Sequence, residues 1–222
     1  MEFIFMFTRD DQTVEDCLEV FDLMVDTGVK HLGFKDVGVS RETLVALNER
    51  IKASGGVSYM EVVSTTSEAC LNSARSAVEI GVDRLLGGTE AEAMLQVLAG
   101  SGITYFPFPG RPEGHPTQLG GTPEQVTTDC QRFEALGCAG VDLLAYRATE
   151  AEPIALVRAA RQALVGELII AGSVGTPARV QELAEAGVDA FTVGSAAFDG
   201  SFSPRKGSLR SQLSDILAAC VP

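Results

Sequence analysis

Eight short apolar runs recur along the chain, and windows with helical spacing separate them. The runs cover residues 3–7, 31–35, 57–63, 84–86, 103–108, 141–146, 168–171 and 190–193. Continuous apolar runs are typical of strands in a parallel sheet that is covered on both faces. Between the first two runs, Val14, Leu18 and Phe21 recur with the spacing of a helix that buries one face. The pattern predicts an α/β protein built from eight strand and helix units.

A weak internal repeat marks the passage from a helix to the next strand. Its copies read TGVKHLGF, IGVDRLLGG, SGITYFPF, AGVDLLAY and AGVDAFTVG. Each copy places a glycine where a left-handed backbone can end a helix. Eight such units favour a closed (β/α)8 TIM barrel with a parallel eight-stranded sheet, forming a single domain over residues 1–222, rather than an open doubly wound sheet. We interpret Asp83, Asp142 and Asp189 as structural, because the repeat places them where the chain enters a strand.

Two loops of small residues follow the last two predicted strands. Gly172 and Ser173 belong to the first loop, and Gly194 and Ser195 belong to the second. Backbone N–H groups in such loops can approach an anion closely, and barrels often build phosphate sites there. The alternative is that both loops are tight turns that need glycine for steric reasons.

The sequence of this region resembles a known group of proteins. The segment AGSV…ELAEAGVDAFTVGSAAF is similar to the C-terminal quarter of the phosphate-binding (β/α)8 barrels, such as ribulose-phosphate 3-epimerase, ketogulonate-phosphate decarboxylase and the histidine-biosynthesis sugar isomerases. The resemblance implies that Gly172, Ser173, Gly194 and Ser195 hold the phosphate of a substrate.

A second segment, Phe34-Lys35-Asp36-Val37-Gly38, resembles the Lys-Asp segment of the orotidine-monophosphate and ketogulonate-phosphate decarboxylases. The Asp-x-Lys-x-x-Asp pattern of those enzymes would place aspartates where this chain has Gly33 and Gly38.

Lys35 and Glu61 are the strongest catalytic candidates. Each lies near the C-terminal end of a predicted apolar strand, where barrels carry their catalytic groups. A charged side chain can hardly face the packed helix layer, so alternation predicts that Lys35 and Glu61 point into the barrel, with Gly33 and Tyr59. Neighbouring strands then allow an ion pair in the barrel mouth. The alternative is a buried pair that only fills the top of the barrel.

Several other side chains at the same face are candidates. Four of them are predicted to bind substrate: Arg9, Arg111, His115 and Arg147. Asp10 is predicted either to act as a base or to serve as a turn residue before the first helix. Residues 108–122 lack a helix or strand pattern, and a loop of this length in a compact domain is often a lid or a binding loop.

Composition narrows the classes of partner. The formal net charge of −13 argues against nucleic acid and against an anionic membrane surface. The five cysteines are scattered and lack the CxxC spacing of metal sites, which predicts buried thiols in a reducing, cytoplasmic environment. We expect no metal, because His31 begins a strand at the opposite face and His115 lies on a long loop. No cofactor is indicated, and a homo-oligomer is left open.

These features predict a metabolic enzyme that binds a small phosphorylated sugar or keto acid. The favoured chemistry is isomerisation or epimerisation by proton transfer next to a carbonyl, with Glu61 as base and Lys35 stabilising the oxyanion. The first alternative is an aldolase or decarboxylase, in which Lys35 forms a Schiff base or protonates a carbanion. The second is a barrel that binds sugar phosphates without catalysis.

Overall fold

A computed structural model describes residues 1–64, 66–114 and 116–220. Each of the eight predicted apolar runs overlaps a strand. The strands are β1 (Glu2–Met6), β2 (His31–Lys35), β3 (Val57–Glu61), β4 (Arg84–Leu86), β5 (Thr104–Phe106), β6 (Gly140–Leu143), β7 (Glu167–Ile170) and β8 (Ala190–Val193). All of the strand pairs in this sheet are parallel, as the continuous apolar runs predicted.

The sheet closes into a barrel. Its strand order is β6-β7-β8-β1-β2-β3-β4-β5. The two ends of this order meet through backbone hydrogen bonds from Ala139 N to Tyr105 O (3.1 Å) and from Asp142 N to Pro107 O (3.0 Å). The predicted (β/α)8 fold is therefore confirmed.

Helices connect successive strands and cover the outside of the barrel. They are α1 (Cys17–Met24), α2 (Arg41–Ala53), α3 (Ser67–Ile80), α4 (Ala91–Leu98), α5 (Pro123–Leu136), α6 (Pro153–Ala163), α7 (Pro177–Glu185), the short α8 (Ser195–Phe198) and α9 (Leu209–Ala219). Thr122 and Gln125 form a capping box at the start of α5, so two otherwise unpaired backbone donors are satisfied there. No helix in the described ranges is both long enough and apolar enough to cross a membrane.

The hydrophobic core has an inner and an outer part. The inner cluster fills the barrel and consists of Ile4, Met6, Tyr59, Leu86, Phe106, Ile169 and Ala190. The outer and larger cluster lies between strands and helices and includes four of the cysteines, which are buried free thiols as predicted. Burial raises the pKa of the Cys130 thiol to about 12, which keeps it protonated.

A tight hairpin follows β1 and reaches over the barrel mouth. Thr8–Arg9 pairs with Gln12–Thr13, and Asp10 and Asp11 form the two-residue turn with φ values of 51° and 59°. Turns with two positive φ values suit the twist of such hairpins, and aspartate tolerates that backbone better than most residues. The side chain of Asp10 is exposed and that of Asp11 is buried.

The end of β2 holds this hairpin in place. The Thr13 hydroxyl accepts a hydrogen bond from Lys35 N (2.9 Å) and donates one to Lys35 O (2.7 Å). Gly38 also packs against the hairpin, where a Cβ atom would lie 2.3 Å from Thr13 O. Lys35 and the hairpin turn are therefore fixed relative to one another.

The loop after β5 contains a second hairpin that the sequence did not predict. Arg111–Glu113 pairs with Gln118–Gly120, and Leu119 is buried. Thr149 N donates to Leu119 O (2.9 Å), which anchors the hairpin beside the loop after β6. Each arm has three residues, too few to produce a readable alternation of apolar and polar positions.

Polar side chains also cross the barrel at its N-terminal end. This basal cluster comprises Glu2, His31, Tyr59, Arg84 and Glu167. His31 contacts Tyr59 Oη through Nδ1 (2.8 Å) and Glu2 Oε2 through Nε2 (3.3 Å). Arg84 Nη1 donates to Glu167 Oε2 at 2.6 Å and so joins β4 to β7. The cluster closes the lower end of the barrel with the Arg84–Glu167 ion pair and the polar contacts of His31.

Candidate functional site

Lys35 and Glu61 meet inside the barrel mouth, as alternation predicted. They are direct neighbours in the pairing of β2 with β3, and Lys35 Nζ lies 3.4 Å from Glu61 Oε1. Their residues are 4% and 6% exposed. Gly33, two residues before Lys35, also faces inward, since a Cβ there would lie 2.4 Å from Met6 Sδ.

Asp11 connects Lys35 to Arg147. Lys35 Nζ donates to Asp11 Oδ1 at 2.7 Å. Arg147 donates to both oxygens of the same carboxylate, at 2.9 Å and 3.0 Å, in the bidentate arrangement that makes such pairs strong. Burial opposes ionisation of Asp11, but the bonds from Arg147 and Lys35 outweigh it and hold the pKa of Asp11 well below its usual range. Asp11 is therefore a carboxylate.

Asp142 is a third carboxyl group in the same region. Val141 and Leu143 pack in the outer core, so alternation turns Asp142 into the barrel. The residue is fully buried, and neither carboxyl oxygen has a hydrogen-bond partner among the described residues. Burial and the nearby charge of Glu61 raise the pKa of Asp142 well above its usual range, although Lys35 and Arg147 oppose this.

The sequence placed Asp142 incorrectly. The repeat puts Asp83 and Asp189 immediately before β4 and β8, at the N-terminal face, as expected. The equivalent start of β6 would be Leu143, but the strand begins three residues earlier, at Gly140, so Asp142 lies within the strand. The interpretation of Asp142 as a strand-entry residue is wrong for this reason.

We use the name apical cluster for Asp11, Lys35, Glu61, Asp142 and Arg147.

The two Gly-Ser loops line one cavity together with this cluster. The cavity has a volume of about 260 Å³, and Gly172, Ser173, Gly194 and Ser195 all contribute to its wall with Lys35 and Glu61. Within the part of the chain that the structure describes, no hydrogen bond engages the amides of Ser173 and Ser195. The loops therefore present donors to the same space as the charged groups.

Both glycines also have steric reasons to be glycine. Gly172 has a φ of 75°, and a Cβ there would lie 2.4 Å from Arg147 Nε. At Gly194 a Cβ would lie 2.7 Å from Thr8 O. The steric explanation and the anion-binding explanation thus apply to the same residues, and substitution of the glycines cannot separate them.

The remaining predicted residues lie apart from the cavity, with one exception. Arg147 lines it, because a short helical turn at Ala145–Arg147 directs the side chain back over the barrel. Arg9 and Asp10 are exposed and border a different groove, where the guanidinium of Arg9 lies 5.3 Å from the centre of the Phe198 ring. Arg111 is exposed and bonds Glu113 (2.7 Å) and Glu150. His115 lies outside the described residues.

Among the described residues, no group of three or more His, Cys, Asp or Glu side chains is arranged to hold a metal ion. The Asp11 carboxylate is already bonded to two cations. Its charge is therefore compensated by protein groups.

Comparison with known proteins supports the fold assignment. No protein-family model matches the sequence, and a search of curated proteins found no match. Among solved structures, a KDPGal aldolase in its native form is 13% identical, with a TM-score of 0.68 over 100% of this chain and 93% of that chain. Orotidine 5′-phosphate decarboxylase from Pyrococcus horikoshii OT3 is 12% identical, with a TM-score of 0.68 and 99% of each chain covered.

A 3-hexulose-6-phosphate synthase is 16% identical, with a TM-score of 0.66 and 99% of each chain covered. These neighbours are enzymes built on phosphate-binding TIM barrels, the group that the C-terminal segment resembles. At such identities the likeness shows the fold, and the chemistry has to be argued from the site.

Proposed function

We propose that the protein is a carbon–carbon lyase, of the aldolase or decarboxylase type, acting on a small phosphorylated sugar or keto acid. The observation that carries the proposal is a buried lysine held by two carboxylates, in a cavity whose other wall consists of two Gly-Ser loops. The similar solved structures include an aldolase and a decarboxylase, which favours the lyase over the isomerase that the sequence analysis preferred.

The two loops supply the proposed phosphate site. Ser173 and Ser195 line the same cavity, their amides have no hydrogen-bond partner among the described residues, and small side chains leave room for an anion. The cations of the apical cluster are already bonded to Asp11, so the loops have to supply much of the attraction. Arg179 helps here, because its guanidinium donates to Ser173 O and lies 4.5 Å from the centre of the Tyr146 ring. A positive charge therefore borders the first loop.

Lys35 supplies the chemistry in this proposal. When a carbon–carbon bond next to a carbonyl breaks, its electron pair stays on the substrate as a carbanion or enolate. The ammonium group of Lys35 stabilises this charge and then donates a proton from Nζ to the carbon. Decarboxylation releases carbon dioxide in this step. Aldol cleavage releases an aldehyde, and the Glu61 carboxylate accepts the proton that leaves the substrate hydroxyl group.

The contacts of Lys35 favour proton donation over imine formation. A Schiff base requires the neutral amine as nucleophile. Here Nζ is 2.7 Å from one carboxylate oxygen and 3.4 Å from another, and both carboxylates stabilise the ammonium form. We therefore expect no covalent intermediate at Lys35.

Thermal stabilisation tests the binding half of the proposal. A ligand that binds the native state raises the melting temperature, so sugar phosphates and keto-acid phosphates are compared with their unphosphorylated counterparts. We expect a shift only with the phosphorylated compounds. A shift with unphosphorylated acids or sugars alone would rule out the phosphate site.

The stabilising compounds are then assayed for cleavage. We expect bond cleavage by the wild type, a loss of about 10²–10⁴-fold in kcat for Lys35→Met, and no change for Lys30→Met, a matched substitution at an exposed lysine. Borohydride in the presence of substrate should add no mass at Lys35. Exchange of substrate protons with solvent without cleavage would instead support the isomerase, and tight binding without any turnover would support the non-catalytic barrel.

A further inference from the structure

One group of the apical cluster has no use in the chemistry described so far. We propose that Asp142 is the proton-holding acid of the site: a neutral carboxylic acid in the resting protein that is coupled to Lys35 and Glu61 and returns a proton to the cavity. The use made of that proton rests on the proposed function. The protonation of Asp142 and its coupling to the cluster do not.

The first argument is the environment of the side chain. Asp142 has no exposed surface, and neither oxygen is hydrogen-bonded to a described residue. An ionised carboxylate in such a place loses its hydration and receives no compensating bond, which is among the most costly arrangements in a protein. The protonated acid avoids most of this cost.

The second argument is the charge count of the cluster. Lys35 and Arg147 are its two cations, and both are bonded to Asp11. Lys35 Nζ also lies 3.4 Å from Glu61 Oε1. With Asp11 and Glu61 ionised, the two cations are balanced, and Asp142 as a third anion would leave one buried negative charge uncompensated.

The third argument is position. Asp142 faces the barrel interior from β6, and its charge interacts with those of Glu61, Lys35 and Arg147. Two carboxyl groups close together, with different surroundings, commonly divide into one that is ionised and one that holds the proton. Glu61 lines the cavity beside Lys35, whereas Asp142 is fully buried and does not line it, so its proton reaches the cavity through a neighbouring group of the cluster.

This arrangement completes the proton balance of a lyase. Lys35 Nζ gives a proton to the substrate carbanion and becomes a neutral amine. The Asp142 carboxyl, which has no hydrogen-bond partner among the described residues, then gives its proton to the neutral Nζ and becomes a carboxylate. After the product leaves, solvent restores the proton of Asp142, so each decarboxylation consumes one proton. In aldol cleavage the proton taken from the hydroxyl group returns to the cluster, and no net proton is consumed.

Infrared spectroscopy tests the proposal without a substrate. A protonated carboxylic acid has a C=O stretching band apart from those of carboxylates, so the wild type at pH 7 should show a band that is missing in Asp142→Asn. Because Glu61 raises and Lys35 lowers the proton affinity of Asp142, the midpoint of the band should shift to lower pH in Glu61→Gln and to higher pH in Lys35→Met. Absence of the band at pH 7, or midpoints that do not move, would overturn the proposal.

The pH dependence of stability provides an independent readout. The pKa of Asp142 is higher in the folded chain than in the unfolded one, so the contribution of Asp142 to stability is lost as the pH rises above about 4. Asp142→Asn lacks this loss, and its melting temperature should exceed that of the wild type by a margin that grows from pH 4 to pH 7.

Asp83→Asn is the matched control. Burial disfavours the charge of Asp83, but bonds from Ser58 N (2.8 Å) and Ser58 Oγ (2.9 Å) help to lower its pKa below the usual value. Asp83 is ionised in both the folded and the unfolded chain above about pH 4, so Asp83→Asn should keep the wild-type pH dependence from pH 4 to pH 7. If the melting temperature of Asp142→Asn exceeds that of the wild type by the same amount from pH 4 to pH 7, Asp142 is not a neutral acid in the folded protein. If the band is present but no lyase substrate is found, only the proposed function fails.

Discussion

Both ends of the barrel contain a cluster of charged side chains, and the two clusters are built differently. In the basal cluster, Arg84 pairs with Glu167 and His31 pairs with Glu2, and these side chains keep between 19% and 65% of their exposure. In the apical cluster, Lys35, Asp11 and Glu61 are below 10% exposed, and Asp142 has no partner among the described residues.

The difference shows what each end contributes. Half-solvated pairs cost little to form and join strands across the barrel. Buried ions cost several kcal/mol each to desolvate, and a hydrophobic replacement would often be more stable. A cluster of that kind beside an open cavity is better explained by chemistry than by stability, and the following predictions test the contrast.

The largest effect on stability is expected from Asp11→Asn. The substitution keeps the shape and tolerates the left-handed backbone, but it leaves Lys35 and Arg147 without their shared carboxylate. Breaking a buried pair in this way typically costs about 3–5 kcal/mol, measured by urea unfolding. Asp10→Asn, one residue earlier in the same turn, is exposed and should change the free energy of unfolding by less than about 0.5 kcal/mol. Equal losses in the two variants would contradict the roles assigned to the hairpin.

The acid limb of the stability profile should follow the same residue. The pKa of Asp11 is lower in the folded protein, so its contribution is present above its unfolded pKa of about 3.9 and is lost as the pH falls further. We expect thermal unfolding of the wild type to become easier below pH 4, with a shallower dependence in Asp11→Asn. If the melting temperatures of the wild type and of Asp11→Asn fall equally steeply below pH 4, other carboxylates control acid unfolding.

A smaller effect is expected from the basal pair. Glu167→Gln removes the charge opposite Arg84, which remains partly hydrated, and should cost less than about 1 kcal/mol in urea unfolding. The ligand-induced rise in melting temperature should be unchanged, because the cluster lies at the opposite end of the barrel. A loss of ligand stabilisation would mean that the two ends are coupled.

The smallest effect concerns His31. Burial lowers its pKa, so the unfolded chain binds a proton more readily and the protein should lose stability as the pH falls below about 6.5. His31→Gln should remove this step, which we expect to be below about 1 kcal/mol, and the comparison of melting temperatures at pH 7.5 and 5.5 measures it. Variants of the apical cluster keep His31 and should therefore still lose this stability between pH 7.5 and pH 5.5.

Much of the fold could be read from local patterns. The order of apolar runs and helical windows was sufficient for the (β/α)8 barrel, because strand and helix periodicity are properties of short segments. The inward orientation of Lys35 and Glu61 followed from alternation within β2 and β3 for the same reason. The two Gly-Ser loops were visible as small residues at two strand ends, and the structure brings both to the cavity that contains Lys35.

Tertiary structure decided which other side chains join them. Gly33 and Gly38 have no room for the aspartates of the decarboxylase pattern, because Met6 and Thr13 occupy the space, and the carboxylates come instead from Asp11 and Glu61. Asp11 rather than Asp10 faces the site, because the packing of the hairpin on β2 determines which of the two turn residues is buried. Asp142 faces the site because β6 begins three residues earlier than its repeat suggests, and a shift by an odd number of residues reverses which side chains of a strand point inward. Sequence alone determined the framework and one pair of the site, whereas the packing of distant segments determined its remaining charges.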